Sequence, residues 1–73
     1  MNKIEIIREP VELYKLLKFE GLASSGGEAK AMVADGLVTV NDEPETRKRR
    51  KICAGDRIRF DGVEYTIVFQ SES

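Results

Sequence analysis

The sequence predicts a single α+β domain made of an N-terminal strand, two packed helices and then a small, mostly antiparallel sheet. Three observations point to it. Two early segments place apolar residues at helical spacing and each is closed by a glycine; the later segments alternate apolar and polar residues around turn formers; and 73 residues leave room for one domain.

Lys3 to Ile7, KIEII, is short and β-branched, the composition of a strand, and Arg8, Glu9 and Pro10 close it. Pro10 suits the first position of a helix running to about Glu20, with Leu13, Leu16 and Leu17 on one face and Tyr14 at its margin. Lys15 and Lys18 project together from the opposite face, and Gly21 stands where a helix terminator belongs. Ser25 and Glu28 have the spacing of a capping box that starts helix two, whose stripe is Ala29, Met32 and Val33 and whose terminator is Gly36. Leu37 to Val40, LVTV, reads as a strand, and Asn41-Asp42 as a tight turn returning through Glu43 and Pro44. Ile52 to Asp56 is a turn around Gly55, followed by the clearest hairpin: Arg57 to Phe60 and Val63 to Val68 on either side of Asp61-Gly62. A polar tail spans residues 70–73.

Composition excludes more chemistry than it admits. With no His and one Cys, zinc clusters, Ser-His-Asp triads and Cys-His dyads are all ruled out, and the thirteen acidic residues are scattered rather than paired. No enzyme, cofactor, metal site or small-molecule substrate is expected. The lone Cys53 rules out an intrachain disulfide, and no apolar run approaches the roughly 20 residues of a membrane span, so the expected setting is the cytoplasm, away from membranes. A chain this short buries only about 60 % of its unfolded surface, which makes each apolar position count.

The anomaly is ETRKRRKI, residues 45–52, where Arg47, Lys48, Arg49, Arg50 and Lys51 follow one another in a chain of formal net charge −1. A regular strand here would carry Arg50 and Lys48 to the same face as Ile52. Ile52 belongs in a core and two unpaired cations do not, so the run is expected to leave the ladder as an irregular surface segment with all five heads in solvent. The rest of the chain holds seven basic and thirteen acidic side chains, a net of −6, so the positive field is local. Such a run relieves its own repulsion and releases counterions on a polyanion. Arg adds a planar fork that clamps phosphate, and the few aromatics lie mostly on core-facing patterns, so phosphate and shape contacts are expected over base readout.

LLKFEGL, SSGGEAKAMVADGLVTVND and ICAGDRIRF, taken in order, resemble the alpha-L RNA-binding domain, also called the S-four domain after the small-subunit ribosomal protein. The resemblance covers about residues 10–60 and rests on Ser25, Ala29, Lys30, Gly36, Val38, Val40, Asn41, Gly55, Asp56 and Ile58. Gly26 replaces the family's Arg after the Ser, and Asp42 its hairpin Gly. The basic run and the short length resemble the small stand-alone bacterial, YbcJ-like members. The resemblance implies binding of structured RNA, with ribosomal and transfer RNA as candidate classes, and nominates Ser25, Lys30 and Asn41, with Lys18 as a weaker candidate, beside Arg47, Lys48, Arg49, Arg50 and Lys51. Each has a plainer role: Ser25 as a helix cap, Asn41 as a turn former, Lys30 with its stem along the core edge. The alternative function is a protein-interaction adaptor docking an acidic partner through the same basic loop.

Overall fold

The two helices and one face of the sheet close on a core drawn from β-strand residues at both ends of the described chain and from both helices, with none from residues 41–51. The structure, a computed structural model, describes residues 2–70. Strand β1 (Asn2–Ile6) alternates as its sequence demands, with Ile4 and Ile6 buried and Asn2, Lys3 and Glu5 exposed. It pairs in parallel with β7 (Val63–Phe69), Ile4 opposite Ile67. The intervening chain makes the crossover that a parallel pair requires. Strands β3 (Val38–Val40), β4 (Glu43–Pro44) and β6 (Arg57–Phe60) complete a sheet of order β1-β7-β6-β3-β4, antiparallel except for its β1–β7 pair. The polar tail expected at 70–73 is described only at Gln70, whose N–H extends the ladder to the Ile6 carbonyl at 2.8 Å; residues 71–73 lie outside the described residues.

Helix α1 (Leu13–Phe19) starts later than Pro10. Val11–Glu12 is instead a short strand, β2, antiparallel to β5 (Lys51–Ile52), and Glu12 is the extended N-cap residue. Tertiary pairing overrides proline's local preference: once Val11 lies opposite Ile52, the helix can begin only beyond them. Leu13, Leu16 and Leu17 are buried and Tyr14 is half-buried at the margin, as the spacing predicts.

Both helix ends follow their glycines. In α1, the Gly21 N–H donates to the Lys18 carbonyl and Leu22 to Leu17; in α2 (Gly26–Ala34), Gly36 donates to Val33 and Leu37 to Met32. Each pair is a Schellman motif, and Gly21 and Gly36 both sit at φ 74, where a Cβ is disfavoured. Leu37 is consumed by this cap and left 54 % exposed, which is why the strand expected from Leu37 begins at Val38. At the other end Ser25 Oγ accepts the Glu28 N–H at 3.1 Å. The reciprocal half of the capping box differs from expectation: the Glu28 carboxylate takes the Ser24 hydroxyl at 2.6 Å, not the Ser25 N–H.

Asn41 and Asp42 take positive φ (52 and 71) between β3 and β4, and Asp61 and Gly62 (54 and 78) between β6 and β7. Two left-handed residues in a two-residue loop match the twist of an antiparallel pair, so both hairpins form where their sequences place them. Leu13, Leu17, Ile52, Ile58 and Ile67 are essentially inaccessible, and each contributes about 1.5–3 kcal/mol by its burial. Among the described residues no helix is long and apolar enough to cross a membrane.

Candidate nucleic-acid interface

The basic segment is irregular from Thr46 to Arg50, with a turn closed by the Arg50 N–H on the Arg47 carbonyl at 3.1 Å. Lys51 departs from the expected course, because it rejoins a ladder opposite Glu12 and so lets Ile52 reach the core. The segment is anchored by its backbone. The N–H groups of Leu13 and Tyr14 donate to the carbonyls of Arg50 (2.9 Å) and Lys48 (3.1 Å). Two of the orphan donors at the start of α1 are thereby satisfied, and the cationic run is fixed against that helix.

Glu45 organises the side chains. It is 7 % exposed, and its carboxylate accepts the backbone N–H of Arg47 (3.0 Å), Arg47 Nε (3.0 Å) and Nη2 (3.2 Å), and Arg50 Nη1 (2.7 Å). The side-chain bond from Arg47, then its backbone N–H, hold the Glu45 carboxyl at about 2 against the opposing effect of burial, with Arg50 adding to the drop. The same pairing raises Arg47. Glu12 lies 3.0 Å from Lys15 Nζ and 3.8 Å from Arg49 Nε. The Lys15 hydrogen bond is the main cause that lowers the Glu12 carboxyl and raises the Lys15 ammonium.

The field is therefore smaller than five adjacent cations suggest. Arg47 and Arg50 share one carboxylate and Arg49 approaches another, while Lys48 and Lys51 have no ion pair among the described residues. Arg47, Lys48, Arg49 and Lys51 are exposed, as expected; Arg50 is half-buried, contrary to the expectation that all five heads are in solvent. Residues 46–51 and Ala34 of α2 line an open concavity of about 790 Å³.

Lys30, one turn before Ala34 on the same face of α2, sets its Nζ 4.9 Å from the Tyr14 ring centroid, with Lys15 Nζ at 6.0 Å from the same ring. Tyr14 thus joins both helices to the basic segment, since its own N–H holds Lys48. The other nominated residues lie apart. Ser25 caps α2 at the end away from Ala34, about 14 Å along the helix. Lys18 is exposed in the last turn of α1, on the side of the interhelical connection. Asn41 is occupied structurally: Nδ2 donates to Asp56 Oδ1 (3.1 Å), and Oδ1 accepts the Arg57 N–H (3.0 Å). The roles of Glu45, Glu12 and Tyr14 are absent from the sequence expectations. For Glu45 a signal existed, an acidic residue two and five positions before arginines; Tyr14 gave none beyond its place at the edge of the apolar stripe.

Among the described residues no group of three or more His, Cys, Asp or Glu could hold a metal ion. The arrangement is a cationic surface on an anchored backbone, with ammonium groups at Lys48, Lys51 and Lys30 and guanidinium groups at Arg47, held by Glu45, and at Arg49.

Comparison with known proteins agrees with the fold. The S4 domain family matches residues 4–68. The Escherichia coli (strain K12) protein named "Putative RNA-binding protein YbcJ" is 48 % identical over 58 residues, 80 % of this chain and 83 % of that protein. The Bacillus subtilis (strain 168) protein named "Probable ribosome maturation protein RlbA" is 39 % identical over 61 residues, covering 84 % and 86 %. The solution structure of Escherichia coli YbcJ, described as having an αL motif involved in RNA binding, superposes with a TM-score of 0.69 at 42 % identity, covering 93 % of this chain and 87 % of that one. Sequence, family match and superposition agree, and the chain belongs to the S4 domain family with the α+β architecture of the αL motif.

Proposed function

We propose that this chain is an RNA-binding module that grips structured RNA chiefly through phosphates, as a binder rather than a catalyst. The observation that supports it most is the anchored basic segment: backbone bonds from Leu13 and Tyr14 fix its course, while Lys48, Arg49 and Lys51 stay exposed beside the Lys30–Tyr14 pair. A preformed cationic surface loses little entropy on meeting a polyanion. The relatives point the same way, one named for RNA binding and one for ribosome maturation, which favours ribosomal over transfer RNA as the ligand.

In this reading Lys48, Arg49, Lys51 and Lys30 contact phosphate directly, Arg47 and Arg50 contribute the donors that Glu45 leaves free, and Lys18 and Ser25 extend the path along the far ends of the helices. Asn41 orients the hairpin tip. The test is a titration with structured ribosomal and transfer RNA fragments at low salt, together with a cell pull-down with and without nuclease. Saturable binding weakened by Lys48→Ala, Arg49→Ala and Lys51→Ala together is expected. Absence of binding, or a protein partner whose recovery survives nuclease, refutes the reading and favours an adaptor for an acidic protein surface.

A further inference from the structure

A second surface lies at the outer edge of the sheet, where β1 is the terminal strand. The Ile6 carbonyl takes its bond from Gln70, on the β7 side, so alternation turns the backbone groups of Lys3 and Glu5 the other way. Among the described residues no loop or helix backbone group bonds to that edge. A groove of about 620 Å³ runs between β1 and α1, lined by Ile4, Ile6, Ile7, Val11, Leu16 and Phe19 together with five charged residues. Ile7 is 69 % and Phe19 73 % exposed, the two most exposed of the large hydrophobic residues. Exposed edges are ordinarily blunted by charge. Here the two exposed edge charges, Lys3 and Glu5, are of opposite sign and two positions apart, either side of Ile4.

That spacing is self-complementary in one antiparallel register. If two β1 strands meet with Ile4 opposite Ile4, Lys3 of each copy lies opposite Glu5 of the other. These are also the residues whose backbone groups face outward, so they would form the hydrogen-bonded pairs. Shifting the two-fold to Glu5 would instead oppose two carboxylates. We propose that the β1 edge is a self-association site, pairing antiparallel with β1 of a second copy about a two-fold axis at Ile4. The axis stands perpendicular to the joined sheet, so both helical layers fall on one face and the Phe19 sides of the two grooves approach across the junction. Charge complementarity and edge register select a second copy as the occupant; Glu12 and Lys15 line the groove and also border the basic segment, whereas Lys3 and Glu5 of the pairing edge take no part in that segment.

The experiment is sedimentation equilibrium of the RNA-free full chain from about 10 µM to about 1 mM, where a small interface of under about 1,200 Å² titrates. The wild type is expected to rise from 8.2 kDa toward twice that mass. Lys3→Glu alone and Glu5→Lys alone each place like charges opposite one another, and each should remain at 8.2 kDa. An equimolar mixture of the two restores both pairs and should regain the higher mass. Phe19→Ser should weaken wild-type association without changing the circular dichroism spectrum. A wild type that stays at 8.2 kDa throughout, single charge variants that associate like wild type, or a mixture that fails to associate would each overturn the proposal.

Discussion

Replacing Glu45 with glutamine keeps the shape of the side chain at the centre of the basic segment while removing its charge. The carboxyl stands at about 2 against an ordinary 4.5. At about 1.4 kcal/mol per unit, that drop corresponds to an upper bound of about 3–4 kcal/mol of native-state stabilisation. Arg47 is 72 % exposed, so part of its pairing is screened by solvent, and glutamine retains one acceptor oxygen. A loss of about 1–2 kcal/mol remains, which in a domain of this size lowers the melting temperature by about 10 °C. Thermal melts followed by circular dichroism should show that gap at pH 7. The sign with pH follows from the lowered carboxyl. Its contribution is complete above the ordinary value of 4.5 and is lost as pH falls through about 2, whereas glutamine does not titrate. Wild type and Glu45→Gln should therefore converge over that window. Identical melting temperatures at pH 7, or a gap undiminished near pH 2, would show that the Arg47–Glu45–Arg50 cluster does not stabilise the fold.

Three further outcomes are expected. Ser25→Ala should cost about 1 kcal/mol in denaturant unfolding, because the Glu28 N–H loses its side-chain acceptor at the start of α2. Gly36→Ala should cost at least about 1 kcal/mol even though no heavy atom beyond the adjoining residues lies within 4 Å of the added Cβ, since the penalty comes from φ 74 and not from crowding. Asn41→Ala should lower stability by about 1–2 kcal/mol through the lost bonds to Asp56 and Arg57 while leaving RNA affinity at neutral pH nearly unchanged, a split that separates its structural role from a ligand role.

What could be read in advance was local chemistry. Gly21 and Gly36 marked both helix ends because only a residue tolerant of positive φ completes a Schellman motif, and Asn41-Asp42 and Asp61-Gly62 marked both hairpins for the same reason. What could not be read was long-range. The start of α1 depends on Val11 meeting Ile52, forty-one positions away, and on Leu13 and Tyr14 donating to Arg50 and Lys48. Pro10 gives no hint of either partner. Within the basic run, the apolar Ile52 marks the departure from a regular ladder, but the run itself does not separate the five cations from one another. The burial of Glu45 shows that part of the charge is neutralised within the segment, through Arg47 and Arg50, leaving Lys48, Arg49 and Lys51 exposed and outside that cluster. The family resemblance nominates Ser25, Lys18 and Asn41 together, and the fold sets them at two helix ends and a hairpin tip.

The salt dependence of RNA binding tests the proposed grip most directly. With about four phosphates engaged, a plot of log affinity against log salt should have a slope near −3, about a 50-fold loss between about 50 and 200 mM. Lys48→Ala with Lys51→Ala, which removes the two cations lacking an ion pair among the described residues, should flatten that slope by about 1.5–2. An unchanged slope in the double variant, or no binding by the wild type at the lowest salt, would contradict phosphate binding by this segment.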